Sequence, residues 1–241
     1  MPTHVDELIE PHGGMAEGDR PRSILDYADR AVPEGDAAAR SVRIDQVGEM
    51  LVGSRWRRFT ARETFAVAST AFTWRARFPL TAGMTLFRVV DRYADGAGSL
   101  TARLFGLFPV VRASGPATSA AQATRYLAEL PWVPHALRGN PELRFCEAAD
   151  GAVEVSLPSR NGIEPTMRLE FDGAGEIARV RGVRARSERG TVTWEPWGGT
   201  FDGFRIMGGV RMPTHAEVYW GTPEAPVPYW RCDVTALAVG R

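Results

Sequence analysis

The feature that most limits what this 241-residue chain can fold into is a period-two alternation broken by a single substantial helical stretch. From Ser41 onward, Val42, Ile44, Gln46, Gly48, Met50 and Val52 fall on one side of a long strand, expected to bend at Gly48. Phe72, Trp74, Ala76 and Phe78 alternate with Thr73, Arg75 and Arg77, the pattern of a half-buried strand. Met84 to Tyr93 forms the next strand. The Asp95-Gly96 turn then leads to Ser99–Phe105, extended through Leu107 to Arg112 with a break near Gly106. Between about Thr118 and Leu130 the period becomes helical: Thr118 or Ser119 can cap, Ala120, Ala123, Tyr126, Leu127 and Leu130 make an apolar stripe, and Pro131 and Pro134 end it. A shorter helix is expected over Pro21 to Ala31, stopped by Pro33-Glu34-Gly35.

After the long helix, strand signals resume and continue to Leu237. They are separated by turns such as Asp150-Gly151, Asn161-Gly162, Asp172-Gly173 and Gly208-Gly209. Many short strands around one real helix exclude alternating βαβ units. They predict a mainly β (α+β) domain, a curved antiparallel sheet wrapped around a central helix. Residues 1–19 read as a disordered acidic tail and 20–241 as one domain. A curved sheet of this kind encloses either a packed core or a lipophilic cavity.

Composition removes several chemistries. All 29 basic residues are Arg, so a Walker phosphate loop, a kinase ATP site, a pyridoxal-phosphate Schiff base, a class I aldolase and a Ser-Lys hydrolase are excluded. Basic and acidic residues balance at zero net charge, which favours neither nucleic acid nor a membrane as partner, although residues 1–40 hold nine acids against four Arg. Cys146 and Cys232 belong to no paired motif and are expected as reduced, buried thiols. The start lacks the basic and apolar regions of a signal peptide, so a cytoplasmic location is expected.

Several segments are similar to a family of uncharacterised bacterial proteins. They are Arg125 to Leu137 with Asn140 to Phe145, Trp194 to Phe201, Phe204 to Thr214 and Pro228 to Arg231, with looser agreement at Tyr27, Pro33 to Gly35 and Gly48 to Met50. The resemblance spans residues 21–237. It implies the half-barrel of lipoprotein carriers such as LolA and LolB, an open antiparallel sheet over helices, and leaves function open because the family is one of unknown function.

Candidate site residues come from faces and clusters. On the strand after Pro213, His215, Glu217 and Tyr219 share one face and could supply a base, its orienting partner and a donor; a solvent-facing row is the plainer reading. Glu217 can also meet Arg231 across the ladder, which would make it a poorer proton acceptor. Glu129, Trp132 and His135 gather at the end of the long helix, as a second acid–base group or as core. Of the aromatics between Trp194 and Trp230, the strand-end residues Trp197, Phe201 and Tyr229 are expected to line a cavity with Trp132. Arg205, Arg211 and Arg231 are expected as anchors for an anionic group. Zinc-protease, deaminase, nucleophile-elbow and dinucleotide motifs are absent, and no metal site or cofactor is expected. The expected function is cofactor-independent binding of a lipophilic small molecule in the concavity. The alternatives are a cyclase or isomerase using the same cavity and a protein-interaction module.

Overall fold

The computed structural model describes residues 20–32, 38–81, 83–188 and 190–241. The expected tail at 1–19 and the helix stop at Pro33-Glu34-Gly35 lie outside the described residues. Helix α1 (Arg22–Ala31) precedes six strands, β1 (Ser41–Val52), β2 (Arg55–Ala66), β3 (Phe72–Thr81), β4 (Met84–Ala94), β5 (Ala97–Leu104) and β6 (Phe108–Ala113). Helix α2 (Pro116–Ala128), a 3-10 turn at Leu130–Trp132 and helix α3 (Pro134–Gly139) follow. Nine strands complete the chain: β7 (Arg144–Glu147), β8 (Val153–Ser156), β9 (Thr166–Phe171), β10 (Ile177–Glu188), β11 (Thr191–Asp202), β12 (Arg205–Met207), β13 (Val210–Met212), β14 (His215–Trp220) and β15 (Val227–Gly240).

Thirteen strands make one antiparallel sheet in the order β6-β5-β4-β3-β2-β1-β15-β14-β11-β10-β9-β8-β7, and β12 pairs with β13 as a separate hairpin. The sheet curls into a half-barrel with α2 against its concave face, as the alternation requires. Inward residues of the central strands are almost completely buried: Val42 and Ile44 of β1, Phe59 and Phe65 of β2, Phe72 and Trp74 of β3, Cys232 of β15. Among the described residues no helix is long and apolar enough to cross a membrane.

Three local details depart from the sequence expectation. Strand β2 is additional; its inward row is Arg57, Phe59, Ala61, Glu63 and Phe65, and two charges in that row hide the alternation. Helix α2 starts at Pro116, with Gly115 as its cap at φ 98°, so Thr118 and Ser119 lie inside it. Ser119 Oγ instead accepts from Gly98 N at 2.9 Å and ties the helix to β5. The irregularity expected at Gly48 falls between Asp45 and Gln46, where Thr235 is the extra residue of β15. Gly48 itself is needed for close packing, because a Cβ there would stand 2.2 Å from Arg231 O and 2.7 Å from the Phe59 ring. Both thiols are free, Cys232 buried and Cys146 only half-buried.

Every neighbour in the sheet runs antiparallel, so the turns of hairpins β1–β2, β3–β4, β5–β6, β10–β11 and β14–β15 all fall on one margin. The turns between β2 and β3 and between β4 and β5 fall on the other. Burial changes along the strands between these margins. On β1 the inward residues Val42, Ile44 and Gln46 are buried, Gly48 and Met50 half-buried, and Val52 exposed at the tip. The concavity is closed by α2 toward one margin and open toward the hairpin tips.

Candidate functional site

The closed half is built around Arg125 of α2. Its guanidinium donates from Nη1 to Asp91 at 2.5 Å, from Nε to Glu129 at 2.7 Å and from Nη2 to Glu63 at 3.0 Å. It also lies over the rings of Phe72 and Trp74, with its central carbon 5.1 and 5.0 Å from their centroids. Gln46 of β1 completes the group: it donates to Glu63 at 3.3 Å and accepts from Trp74 Nε1 at 2.9 Å. Glu63, Asp91 and Glu129 are 0%, 6% and 8% exposed.

Three carboxylates around one guanidinium cannot all stay ionised at low dielectric. Burial raises the carboxyl of Glu63 well above its ordinary range, and the neighbouring Glu129 charge adds to this, while Arg125 opposes it. Burial also raises Glu129 and Asp91, against the pull of Arg125. For Arg125, burial works against the charge, but Glu129, Glu63 and Asp91 outweigh it and hold the guanidinium protonated. Glu63 is raised furthest of the three carboxyls, with Glu129 beside it. Among the described residues no three His, Cys, Asp or Glu side chains are grouped as metal ligands; Arg125 supplies the positive charge between these carboxylates.

The open half has a different lining. Met50, Phe87, Val89, Val218, Trp220 and Tyr229 are half-buried around a floor of Phe59, Phe78 and Trp230. Phe59 packs 5.7 Å from both Phe78 and Trp230. One wall is aromatic and cationic. Trp197 and Trp220 are directly opposite in the β11–β14 ladder with centroids 6.5 Å apart, and Tyr229 stacks on Trp220 at 5.8 Å. Arg184 lies 4.7 Å over Trp197 and Arg186 lies 5.0 Å over Trp220. Tyr229 Oη accepts from Trp197 Nε1 at 3.0 Å and from Arg184 at 3.3 Å. Tyr229 reaches this position because it is the extra residue where Val218 and Tyr219 pair with Trp230 and Pro228.

The structure distributes the sequence-derived candidates over several places. Trp197 and Tyr229 meet in the aromatic wall. Phe201 and Trp132 meet in the core, 5.3 Å apart, and Trp132 Nε1 donates to Pro213 O at 3.1 Å. Glu129 joins the Arg125 cluster, whereas His135 is buried on α3, the helix that packs on α1. His215, Glu217 and Tyr219 lie on the convex face, opposite the buried Ala216. His215 Nδ1 is 2.9 Å from Asp233 Oδ1 in an exposed pair. Tyr219 covers Gly198, its ladder partner; a Cβ on Gly198 would stand 3.0 Å from the Tyr219 hydroxyl. Glu217 and Arg231 are ladder partners, but Arg231 turns to Glu49 at 2.6 Å and over the Trp56 ring at 4.9 Å. Arg211 is held by Glu176 at 2.8 Å, and Arg205 is exposed on the separate β12–β13 hairpin. The guanidiniums at the aromatic wall are Arg184 and Arg186, which sequence reasoning missed. So were Arg125, Glu63, Asp91 and Gln46; the signal that could have found them is a polar Gln46 within the inward row of β1.

A cleft of about 70 Å³ where the β2–β3 and β4–β5 turns meet the β8–β9 loop is lined by residues including Thr70, Tyr93, Asp95, Glu142 and Arg160. It is far below the several hundred Å³ of a typical organic-ligand pocket.

The architecture is thus that of an antiparallel half-barrel whose concave face is half covered by one helix and half open as an aromatic, Arg-edged trough. The chain belongs to the family of unknown function DUF6544, whose model matches residues 17–232. No curated protein matches the sequence. Three solved structures are similar at low identity. A DUF1329 family protein from Desulfovibrio piger is 10% identical, with 90% of this chain and 93% of that chain covered and a TM-score of 0.47. A putative outer membrane lipoprotein-sorting protein domain from Vibrio parahaemolyticus is 11% identical, with 90% of each chain covered and a TM-score of 0.49. A LolA superfamily protein from Nitrosomonas europaea is 10% identical, with 91% and 93% covered and a TM-score of 0.46.

Proposed function

We propose that this protein binds an amphipathic small molecule, a lipophilic body with an anionic head, in the open half of the concave face. The observation that carries the reading is the wall of Trp197, Trp220 and Tyr229 with Arg184 and Arg186 laid over its rings. Aromatic faces and half-buried Met50, Phe87 and Val89 offer apolar surface that folding leaves uncovered. Arg184 donates to Ala121 O at 3.0 Å and to Tyr229, and Arg186 pairs with Glu195 at 2.9 Å and with Glu188, so a ligand carboxylate or phosphate ester would be taken by exchange with these partners.

Displacement of a fluorescent fatty acid measures this directly. Saturable binding is expected, with an alcohol of the same chain length binding more weakly. Trp220→Ala and Arg186→Ala are each expected to weaken binding about tenfold, the equivalent of ~1.4 kcal/mol. Absence of saturable binding, or affinity unchanged in both variants, would sink the reading.

Cofactor-free isomerisation or cyclisation of the bound molecule is the second reading, favoured by one observation: the buried carboxyls of Glu63 and Glu129 gathered on Arg125 at the closed end of the same concave face. It requires that Glu63→Gln abolish turnover while leaving binding intact.

A further inference from the structure

Three consecutive hairpins, β1–β2, β3–β4 and β5–β6, carry their tips on the same margin of the sheet. Neighbouring strands are about 4.8 Å apart, so successive tips are spaced by roughly 10 Å. Each tip exposes large apolar side chains. Leu107 is 72% exposed and Phe108 62%, Met84 is 51%, Phe105 48%, Leu80 45% and Trp56 39%.

The charge around these tips is predominantly positive, the nearby Glu49 being paired with Arg58 and Arg231. Residues 51–58, 77–88 and 103–112 contain seven Arg, at 55, 57, 58, 77, 88, 103 and 112, and no Asp or Glu, in a chain whose total charge is zero. All seven except the half-buried Arg57 are exposed. Zero net charge therefore averages over a strongly cationic margin and an acidic first forty residues.

The β5–β6 tip is also suited to leaving water. Phe105 and Gly106 adopt left-handed conformations, φ 52° and 74°, that fix the turn. Phe105 N donates to Leu86 O at 2.8 Å and Leu107 N to Leu104 O at 3.0 Å, so these amides are satisfied before any contact is made.

We infer that these three tips form a docking rim for an anionic lipid bilayer, the aromatic and aliphatic side chains entering the interfacial region and the Arg side chains meeting the headgroups. The charge complementarity selects this occupant. A second copy of the chain would bring seven further Arg against the first seven. Pairing of two β6 edges is obstructed by Pro109, which has no N–H to give. The rim uses residues other than those of the amphiphile-binding wall, so the two readings fail separately.

The test is co-sedimentation of the full chain with vesicles of phosphatidylcholine alone and of phosphatidylcholine mixed with phosphatidylglycerol. Binding to the mixed vesicles is expected to be at least about tenfold tighter and to weaken with added salt. The double variant Leu107→Asp, Phe108→Asp is expected to lose about tenfold or more. Both positions are exposed, so its thermal melting should match that of the parent, and its fatty-acid binding should persist. Equal binding to both vesicle types, unchanged binding of the double variant, or no vesicle binding together with a concentration-dependent dimer that this variant abolishes would overturn the proposal.

Discussion

The two halves of the concave face are built from the same strands, yet they bury Arg to different depths. In the closed half Arg125 is sequestered, its donors committed to Asp91, Glu63 and Glu129 and its face to two rings. In the open half Arg184 and Arg186 also lie on rings and also have partners, Ala121 O and Tyr229 for the first and Glu195 and Glu188 for the second, but beside half-exposed aromatic surface. Burial decides the difference. A guanidinium without solvent is locked onto the carboxylates inside the protein, whereas one at the water boundary, such as Arg186 beside the exposed Glu188 and half-exposed Glu195, can exchange its partner for a ligand's.

Substitution at the centre of the closed half should have the largest effect. Arg125→Ala leaves Asp91 and Glu129 buried without their cation and is expected to cost about 3–5 kcal/mol, read as a drop in the urea midpoint; a loss below about 1 kcal/mol, the size of an exposed pair, would erase the contrast between the halves. Gly48 stands at the boundary. Adding one methyl group there presses on backbone at Arg231 and on Phe59, so Gly48→Ala should cost about 1–3 kcal/mol by the same measurement. Trp220→Ala, in the open half, should remove about 1 kcal/mol or less of stability while weakening fatty-acid binding, the reverse of the Arg125 outcome. If it instead destabilises as much as Arg125→Ala, the open half is core.

The finest distinction is in pH dependence. The Glu63 carboxyl is raised in the folded state, chiefly by burial. Below the ordinary carboxylate range both folded and unfolded states carry the proton and no penalty exists. As pH rises through that range the unfolded chain ionises while the folded chain retains its proton, so stability falls until the raised folded value is passed. Glu63→Gln removes this contribution. It should flatten the fall in melting temperature from acid to neutral pH, and an unaltered slope would show that Glu63 is not the carboxyl raised furthest.

Much of the fold could be read directly from the alternation, because β1, β3, β4 and β5 put apolar residues on one face without exception or nearly so. Strand β2 could not, and for a physical reason. Its inward positions Arg57 and Glu63 are charged, one at the open end and one in the cluster, so the residues that distinguish the two halves are those that break the pattern. The site was partly legible. Trp197 and Tyr229 are expected at strand ends from their Gly and Pro neighbours; both do line the wall, but Trp197 lies in the middle of β11 and Tyr229 at a bulge of β15. Arg184 and Arg186 sit among the Arg residues of β10, where Arg179 and Arg181 bind Glu170 instead. Sequence spacing does not say which of these meets a ring.

The pairing of β1 with β15 has a consequence for how the molecule is made. Ser41 is opposite Gly240 and Met50 opposite Trp230, so the middle of the sheet joins two strands far apart in sequence. Contacts so distant in sequence are slow to form, and they cannot form until β15 has been synthesised. Until then β1 is an unpaired edge, with Val42, Ile44 and the Arg125 cluster beneath it waiting for a neighbour. The centre of this sheet thus exists only once β15 has been made, and removal of that strand would take away not a fringe but the keystone.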